Sequence, residues 1–368
     1  MLSRVSARSY STAGVKLVAR EGAGNLSSIS VVIGGGSKSG KSGISHLLSK
    51  YAFLNTGTKS ALRFTRESEL LGGAFSSNVT RDAIVLKTLF LKQDLPYYVE
   101  ALGNVVANSS FRPHEFNEVV MPVARAEFEA SQQCNEFVAL ESLHELSFRK
   151  GLGNPLYYDG TTKITNDDVQ QYASQAYTSA NISLFASGVN EADLASFVGE
   201  SAFSGLAAGS QHNVPVEFFK GKESRIRAAG ESVALIGVPV KVADFGKFET
   251  LSAAVGNSAL VGAASPLSKI PGASSFLYKY QDAGLFVVSV KGDGSSVAQG
   301  IKQAKKIVDS VSATELTNST KAAQLSVALQ STFENPLDFK PSATKASVGE
   351  FNFVAIGEVD VLPYASEL

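Results

Sequence analysis

Two passages 200 positions apart constrain the fold more than anything else in this chain. Arg81-Asp82-Ala83 leads into the apolar run AIVLKTLFL, and Gln281-Asp282-Ala283 leads into an apolar run over 285–290. Each run reads as a strand, and each is followed by a polar turn and a helical pattern, over 94–106 and 295–310. A second echo closes each half. Asn181-Ile182-Ser183-Leu184-Phe185-Ala186-Ser187-Gly188-Val189 is answered by Phe351-Asn352-Phe353-Val354-Ala355-Ile356-Gly357-Glu358-Val359. A period this long indicates a duplicated domain, not a solenoid repeat, and 368 residues exceed one ordinary core. The expectation is an α+β fold of two related domains, each a mostly antiparallel sheet packed with helices. The first spans 17–205, a linker runs over 206–222, and the second domain spans 223–368.

Within the first half, Ile29, Val31 and Ile33 alternate as in a half-buried strand, and Ile44, Leu47, Leu48 and Tyr51 recur at helical spacing. A helix over 59–71 meets Gly72-Gly73, a C-cap signal. A long helical stretch from Pro113 to about Ser131 is expected to kink near Pro122. Helices are also expected over 136–148, 165–176 and 192–203.

Residues 1–20 carry Arg4, Arg8, Lys16 and Arg20 with no acid before Glu21, and are rich in serine. Such a leader reads as a mitochondrial transit peptide over 1–16, with Arg8-Ser9-Tyr10-Ser11 as its processing signal. The rest of the composition mainly excludes. A net charge of −1 gives no field for nucleic acid. One cysteine, Cys134, excludes an internal disulfide and any cysteine-built iron–sulfur or zinc site. No uncharged apolar run reaches the 18 residues of a membrane span. No fingerprint of a redox cofactor is present, so no cofactor is expected.

The stretch SISVVIGGGSKSGKSGISHLLSKYAFLN (28–55) carries two candidate chemistries. Gly35 to Ser42 fits the nucleotide phosphate-loop pattern, two glycines four residues apart and then Lys41-Ser42. A nucleotide hydrolase also needs an apolar strand ending in an aspartate that organises magnesium, and no strand here ends that way. Residues 34–45 are moreover almost wholly Gly, Ser and Lys, where the pattern arises easily. The preferred reading is a flexible, solvated connection between strand and helix.

The second chemistry rests on a resemblance. Gly36-Ser37, Gly43, His46, Gly72-Gly73 and Arg81-Asp82 occur in the order of the pitrilysin/insulinase-type zinc metallopeptidase family, and Asn154-Pro155-Leu156, Gly160 and the Thr165-x-x-Asp168 helix start also fit. The resemblance covers nearly the whole chain after the leader, and implies two peptidase-like domains. In active members a helix bears H-x-x-E-H, and a glutamate about 75 residues downstream completes the zinc site. Carried over, the first histidine is His46, the general base position holds Ser49, the second histidine position holds Lys50, and Glu127 is the downstream glutamate. Serine is no base for water near neutral pH, and one imidazole with one carboxylate falls short of three protein ligands. An ammonium ~4 Å from Zn²⁺ is repelled by roughly 8 kcal/mol at ε ≈ 20. The resemblance therefore implies vestigial positions and neither catalytic nor metal-binding residues. His114 and His144 lack a histidine four residues on, and read as helix-surface or core-edge residues. Glu115, Glu118, Glu127, Glu129, Glu141 and Glu145 show no tight pairing, so a solvated helix face is expected for them.

Arg66 to Gly73, Phe90 to Val99 and Phe148 to Leu156 are similar to fungal core subunits of the mitochondrial ubiquinol–cytochrome c reductase, non-catalytic members of that family. This implies a peripheral subunit on the matrix side of respiratory complex III, which is dimeric. The implied partners are core protein 1, cytochrome b, cytochrome c1, the iron–sulfur subunit and the small subunits. The alternative is the non-catalytic, substrate-recognising subunit of the mitochondrial processing peptidase. That subunit has a dense glycine-rich loop where this chain has only Gly256, Gly262 and Gly272 between Val255 and Ser275.

Overall fold

The computed structural model describes residues 8–210 and 214–368, apart from the side chains of Arg8 and Ser9. Residues 1–7 of the expected leader, and His212 with its two neighbours in the expected linker, lie outside the described residues. The chain forms two compact units, Met1–Phe128 with Pro155–Val214, and Glu129–Asn154 with Pro215–Leu368.

The first unit is built on a six-stranded sheet. Its strands are β1 (Arg8–Thr12), β2 (Val15–Arg20), β3 (Leu26–Gly34), β4 (Ala74–Val79), β5 (Ala83–Leu91) and β6 (Ile182–Ser187), in the order β1-β2-β6-β3-β5-β4. Only β2 and β6 run parallel. Alternation along β3 sends Ile29, Val31 and Ile33 into the core at 0% exposure, as their spacing requires. Among the described residues, seven α-helical segments begin in this unit. They are α1 (Ile44–Tyr51), α2 (Ala61–Leu71), α3 (Leu95–Ala107), the single turn α4 (Pro113–Glu115), α5 (Met121–Gln132), α7 (Asn166–Ala176) and α8 (Glu191–Glu200). Gly72 ends α2 at φ +69°, with Gly73 N–H donating to Ser68 O and Gly72 N–H to Glu69 O, a Schellman cap. Thr165 and Asp168 close a reciprocal capping box on α7. The irregularity expected at Pro122 falls just before it. Residues Phe116–Val120 form a π-helical turn that leads into α5, widening the ladder where proline lacks its N–H and its ring crowds the preceding turn.

The second unit contains β7 (Glu223–Arg227), β8 (Ser232–Val240), β9 (Ala273–Lys279), β10 (Gly284–Gly292) and β11 (Asn352–Gly357), in the order β7-β11-β8-β10-β9. Again only the first pair, β7 and β11, is parallel. Strand for strand this repeats β2-β6-β3-β5-β4, so the duplication is explicit in the topology, and among the described residues β1 alone has no counterpart. Helices α9 (Phe245–Val255) and α10 (Gly294–Ser310) cover one face of the sheet, burying Ile236, Val238, Phe286 and Val288, and α11 (Ala313–Gln330) packs on α9.

Helix α6 (Asn135–Phe148) differs from the expectation of a continuous first domain over 17–205, because it packs in the second unit. Strand β8 is buried at every position, which demands a cover on both faces. Leu143 and Phe148 of α6 join Val233, Leu235, Leu285 and Val354 as that second cover. A Cβ at Gly237 of β8 would lie 2.6 Å from the Leu143 methyls, so glycine admits the helix to the strand.

Candidate functional site

The glycine stretch between β3 and α1 is a packed element, which overturns the expectation of a solvated loop. Ser37, Lys38 and Ser39 are each 2% exposed. Backbone N–H groups of Gly35, Ser37 and Lys38 donate to the carbonyls of Asp82, Thr80 and Arg81 at 2.8–3.1 Å. Those donors are what a phosphate cradle would need, and they are already spent on the turn before β5. The Lys38 ammonium is buried against Asp82 at 2.8 Å. Lys41, the lysine a phosphate loop requires, instead reaches Asp168 at 2.6 Å.

The stretch leads into α1, whose third residue, His46, faces inward. His46 is fully buried, with its ring 4.9 Å from that of Tyr157. The structure brings three of the four carried-over positions together. The Glu127 carboxylate of α5 reaches His46 Nε2 at 2.8 Å through Oε2, and accepts from Lys50 Nζ at 2.6 Å through Oε1. Residues 46 and 50 share one face of α1, as their four-residue spacing dictates. Ser49 faces away from this cluster. Its hydroxyl donates to the His46 carbonyl at 2.7 Å, and its own carbonyl accepts from Ser77 Oγ at 2.8 Å.

A fourth participant carries no signal in the sequence. The backbone N–H of Tyr158 donates to His46 Nδ1 at 3.0 Å. That contact depends on the path of the chain 112 residues downstream and on no side-chain type. Burial pushes the His46 imidazole below its ordinary value, outweighing the bond to Glu127, and the Lys50 charge acts in the same direction. Burial works to raise Glu127, yet its bonds from Lys50 and His46 prevail and hold the carboxyl below the usual range.

These residues do not fit a catalytic zinc. One imidazole and one carboxylate are present, and that carboxylate already neutralises an ammonium. No carboxylate stands at residue 49 to take a proton from water. Among the described residues no group of three or more His, Cys, Asp or Glu side chains could hold a metal ion.

Two acids also depart from the solvated face expected of them. Glu127 is the centre of the cluster just described. Glu115 is 4% exposed and accepts from the Asn55 backbone N–H at 3.1 Å. His144 is buried too, with Nδ1 donating to Leu140 O and Nε2 accepting from Tyr280 Oη, both at 2.7 Å.

The fold and the altered zinc positions define a class, a duplicated metallopeptidase scaffold without a complete set of metal ligands. The comparisons agree. Residues 17–160 match the Insulinase (Peptidase family M16) domain, and residues 163–320 match the Peptidase M16 inactive domain. The chain belongs to this peptidase family. It is 64% identical to the cytochrome b-c1 complex subunit 2, mitochondrial, of Debaryomyces hansenii, over 100% of both chains. The protein of the same name from Saccharomyces cerevisiae is 39% identical over 95% of each chain. A crystal structure of a peptidase M16 inactive domain from Pseudomonas fluorescens superimposes with a TM-score of 0.79, covering 96% of this chain and 98% of that one. At 14% identity that likeness speaks for the fold alone.

Proposed function

We propose that this chain is a structural, non-catalytic subunit of the mitochondrial cytochrome b-c1 complex. The observation that carries the proposal is the Lys50 ammonium, bonded to Glu127 where a metallopeptidase needs its second histidine, in a chain 64% identical end to end to a subunit of that complex. A peptidase fold without base or metal offers large packed surfaces and no chemistry, which suits assembly. In this reading the subunit is peripheral, on the matrix side of the inner membrane; no described helix is long and apolar enough to cross a membrane. Its partners are core protein 1, cytochromes b and c1, the iron–sulfur subunit and the small subunits of a dimeric complex, and it holds no cofactor itself. The basic leader directs import. Removal of the expected leader, 1–16, would take β1, the edge strand that pairs with β2, and the first two residues of β2, Val15 and Lys16.

The test is native electrophoresis of detergent-solubilised mitochondria, with the chain tagged at its C-terminus. It is expected to migrate with cytochromes b and c1, and its deletion to abolish that band. Migration with processing-peptidase activity and without cytochromes would favour the alternative, a non-catalytic subunit of that peptidase. The sparse glycines between Val255 and Ser275 weigh against that alternative.

A further inference from the structure

The cluster of His46, Lys50, Glu127 and the Tyr158 backbone has a hydrogen-bond logic that goes beyond the loss of ligands. A backbone N–H only donates, so His46 Nδ1, 3.0 Å from Tyr158 N, is the nitrogen with the free lone pair. The single proton of the neutral ring then sits on Nε2, where it donates to Glu127 Oε2. A ring that bound a metal through Nε2 would carry its proton on Nδ1, as metal-bound histidines do toward an outer acceptor. Here that proton would meet the Tyr158 N–H head to head, in a site where His46 has no exposure to solvent. Protonating the ring creates the same clash. The histidine is locked in the tautomer that cannot bind a metal through Nε2, and its Nδ1 lone pair is taken by the Tyr158 N–H.

Lys50 completes the substitution. Its side chain is 15% exposed and its ammonium lies 2.6 Å from Glu127 Oε1, so the carboxylate is neutralised from α1 itself. Both carboxylate oxygens therefore bind α1, one through the imidazole and one through the ammonium.

We propose that the Lys50 ammonium and the Nε2–H of His46, held in that tautomer by the Tyr158 N–H, together replace a metal ion as the bridge between α1 and α5, forming an ionic clasp closed to divalent metals. The clasp is a fixed structural joint. It does for the scaffold what a bound cation would do, without dependence on metal supply.

The tautomer is read directly from the full-length chain labelled with ¹⁵N-histidine. The four histidines are assigned by single substitutions. The expected result is a His46 ring protonated at Nε2 and unprotonated at Nδ1, with no change on adding stoichiometric zinc. A ring protonated at Nδ1, or a His46 signal that moves with zinc, would overturn the lock. The bridge is read by hydrogen exchange of the α1 amides, measured by mass spectrometry on the chain in its native assembly. Lys50→Met keeps the apolar stem and removes the charge, and is expected to speed that exchange about 10-fold. Lys50→Arg restores a donor to Glu127 and is expected to stay within about 2-fold of wild type. A role in packing alone predicts no effect of Lys50→Met, and that result would sink the clasp.

Discussion

Lys279→Met is the most demanding test of how the second unit is held together. Glu249 of α9 is 0% exposed, and Lys279 at the end of β9 has a side chain 5% exposed. Their ion pair, at 2.8 Å, sits in a closed polar network. Lys279 Nζ also donates to Gln330 Oε1 at 2.5 Å, and Gln330 Nε2 donates to Glu249 Oε1 at 3.1 Å and to Ser326 Oγ at 2.7 Å. Asn257 Nδ2 reaches the same carboxylate oxygen at 3.2 Å. Burial pushes the Lys279 ammonium below its ordinary value, and Glu249 opposes the shift, so the lysine's charge depends on that carboxylate. Removing the lysine leaves a buried carboxylate with only amide donors. Breaking a buried pair in this way costs about 3–5 kcal/mol. For a unit of this size that corresponds to roughly 6–20 °C in Tm. Pairing the change with Glu249→Gln removes the stranded charge, so the double variant is expected to recover at least about 2 kcal/mol relative to additivity. The chain has no tryptophan, so unfolding is followed by far-UV circular dichroism in heat and in urea. A Lys279→Met loss below about 1 kcal/mol, or a strictly additive cycle, would show that the network is not the buried ionic joint its geometry describes.

Gly36→Ala should cost about 2–4 kcal/mol, because its Cβ would stand 2.2 Å from Thr80 O and 2.5 Å from Ala83 N. Gly72→Ala, at φ +69° with nothing within 4 Å, should cost only about 1 kcal/mol, and equal losses would show that the glycine stretch is not tightly packed. Lys41→Ala is expected to leave the chain as indifferent to ATP in isothermal titration as the wild type. Saturable binding by the wild type, abolished by this change, would reinstate the phosphate loop. Burial would raise the Glu67 carboxyl, but hydrogen bonds from Arg63 and Lys59 prevail and bring it down from 4.5 to about 2. The folded-state value is the lower one, so this contribution is present above pH 4.5 and is lost as pH falls toward 2. After allowance for solvent screening it is about 1 kcal/mol, and Glu67→Gln should flatten urea-unfolding stability across that window by this amount.

What the sequence disclosed and what it hid follow from whether a contact leaves a residue type behind. The duplication was legible because strands β5 and β10 must bury long apolar runs, and these survive as patterns 200 residues apart. The spacing of His46 and Lys50 placed both on one face of α1, and the family resemblance singled out Glu127, 77 residues beyond Lys50. The Tyr158 N–H was invisible, since every residue but proline has one. Helix α6 shows the same limit at larger scale. Its periodicity identified a helix but not the core that receives it; the apolar stretch VALIGVPV of β8, with Gly237 at the point of closest approach, was the trace of a strand covered on both faces. The glycine stretch misled most. Small residues are common to solvated loops and to places where two backbones touch, and composition does not separate them. What separates them is the destination of the backbone donors. Gly35, Ser37 and Lys38 send theirs to the turn at Thr80–Asp82, and Gly36 lies where any side chain would strike that turn. The Arg81-Asp82 dipeptide that announced β5 and the glycines that announced α1 are thus two sides of one contact. That contact sets the start of the helix bearing His46 and Lys50, and so fixes the geometry in which the Lys50 ammonium meets Glu127.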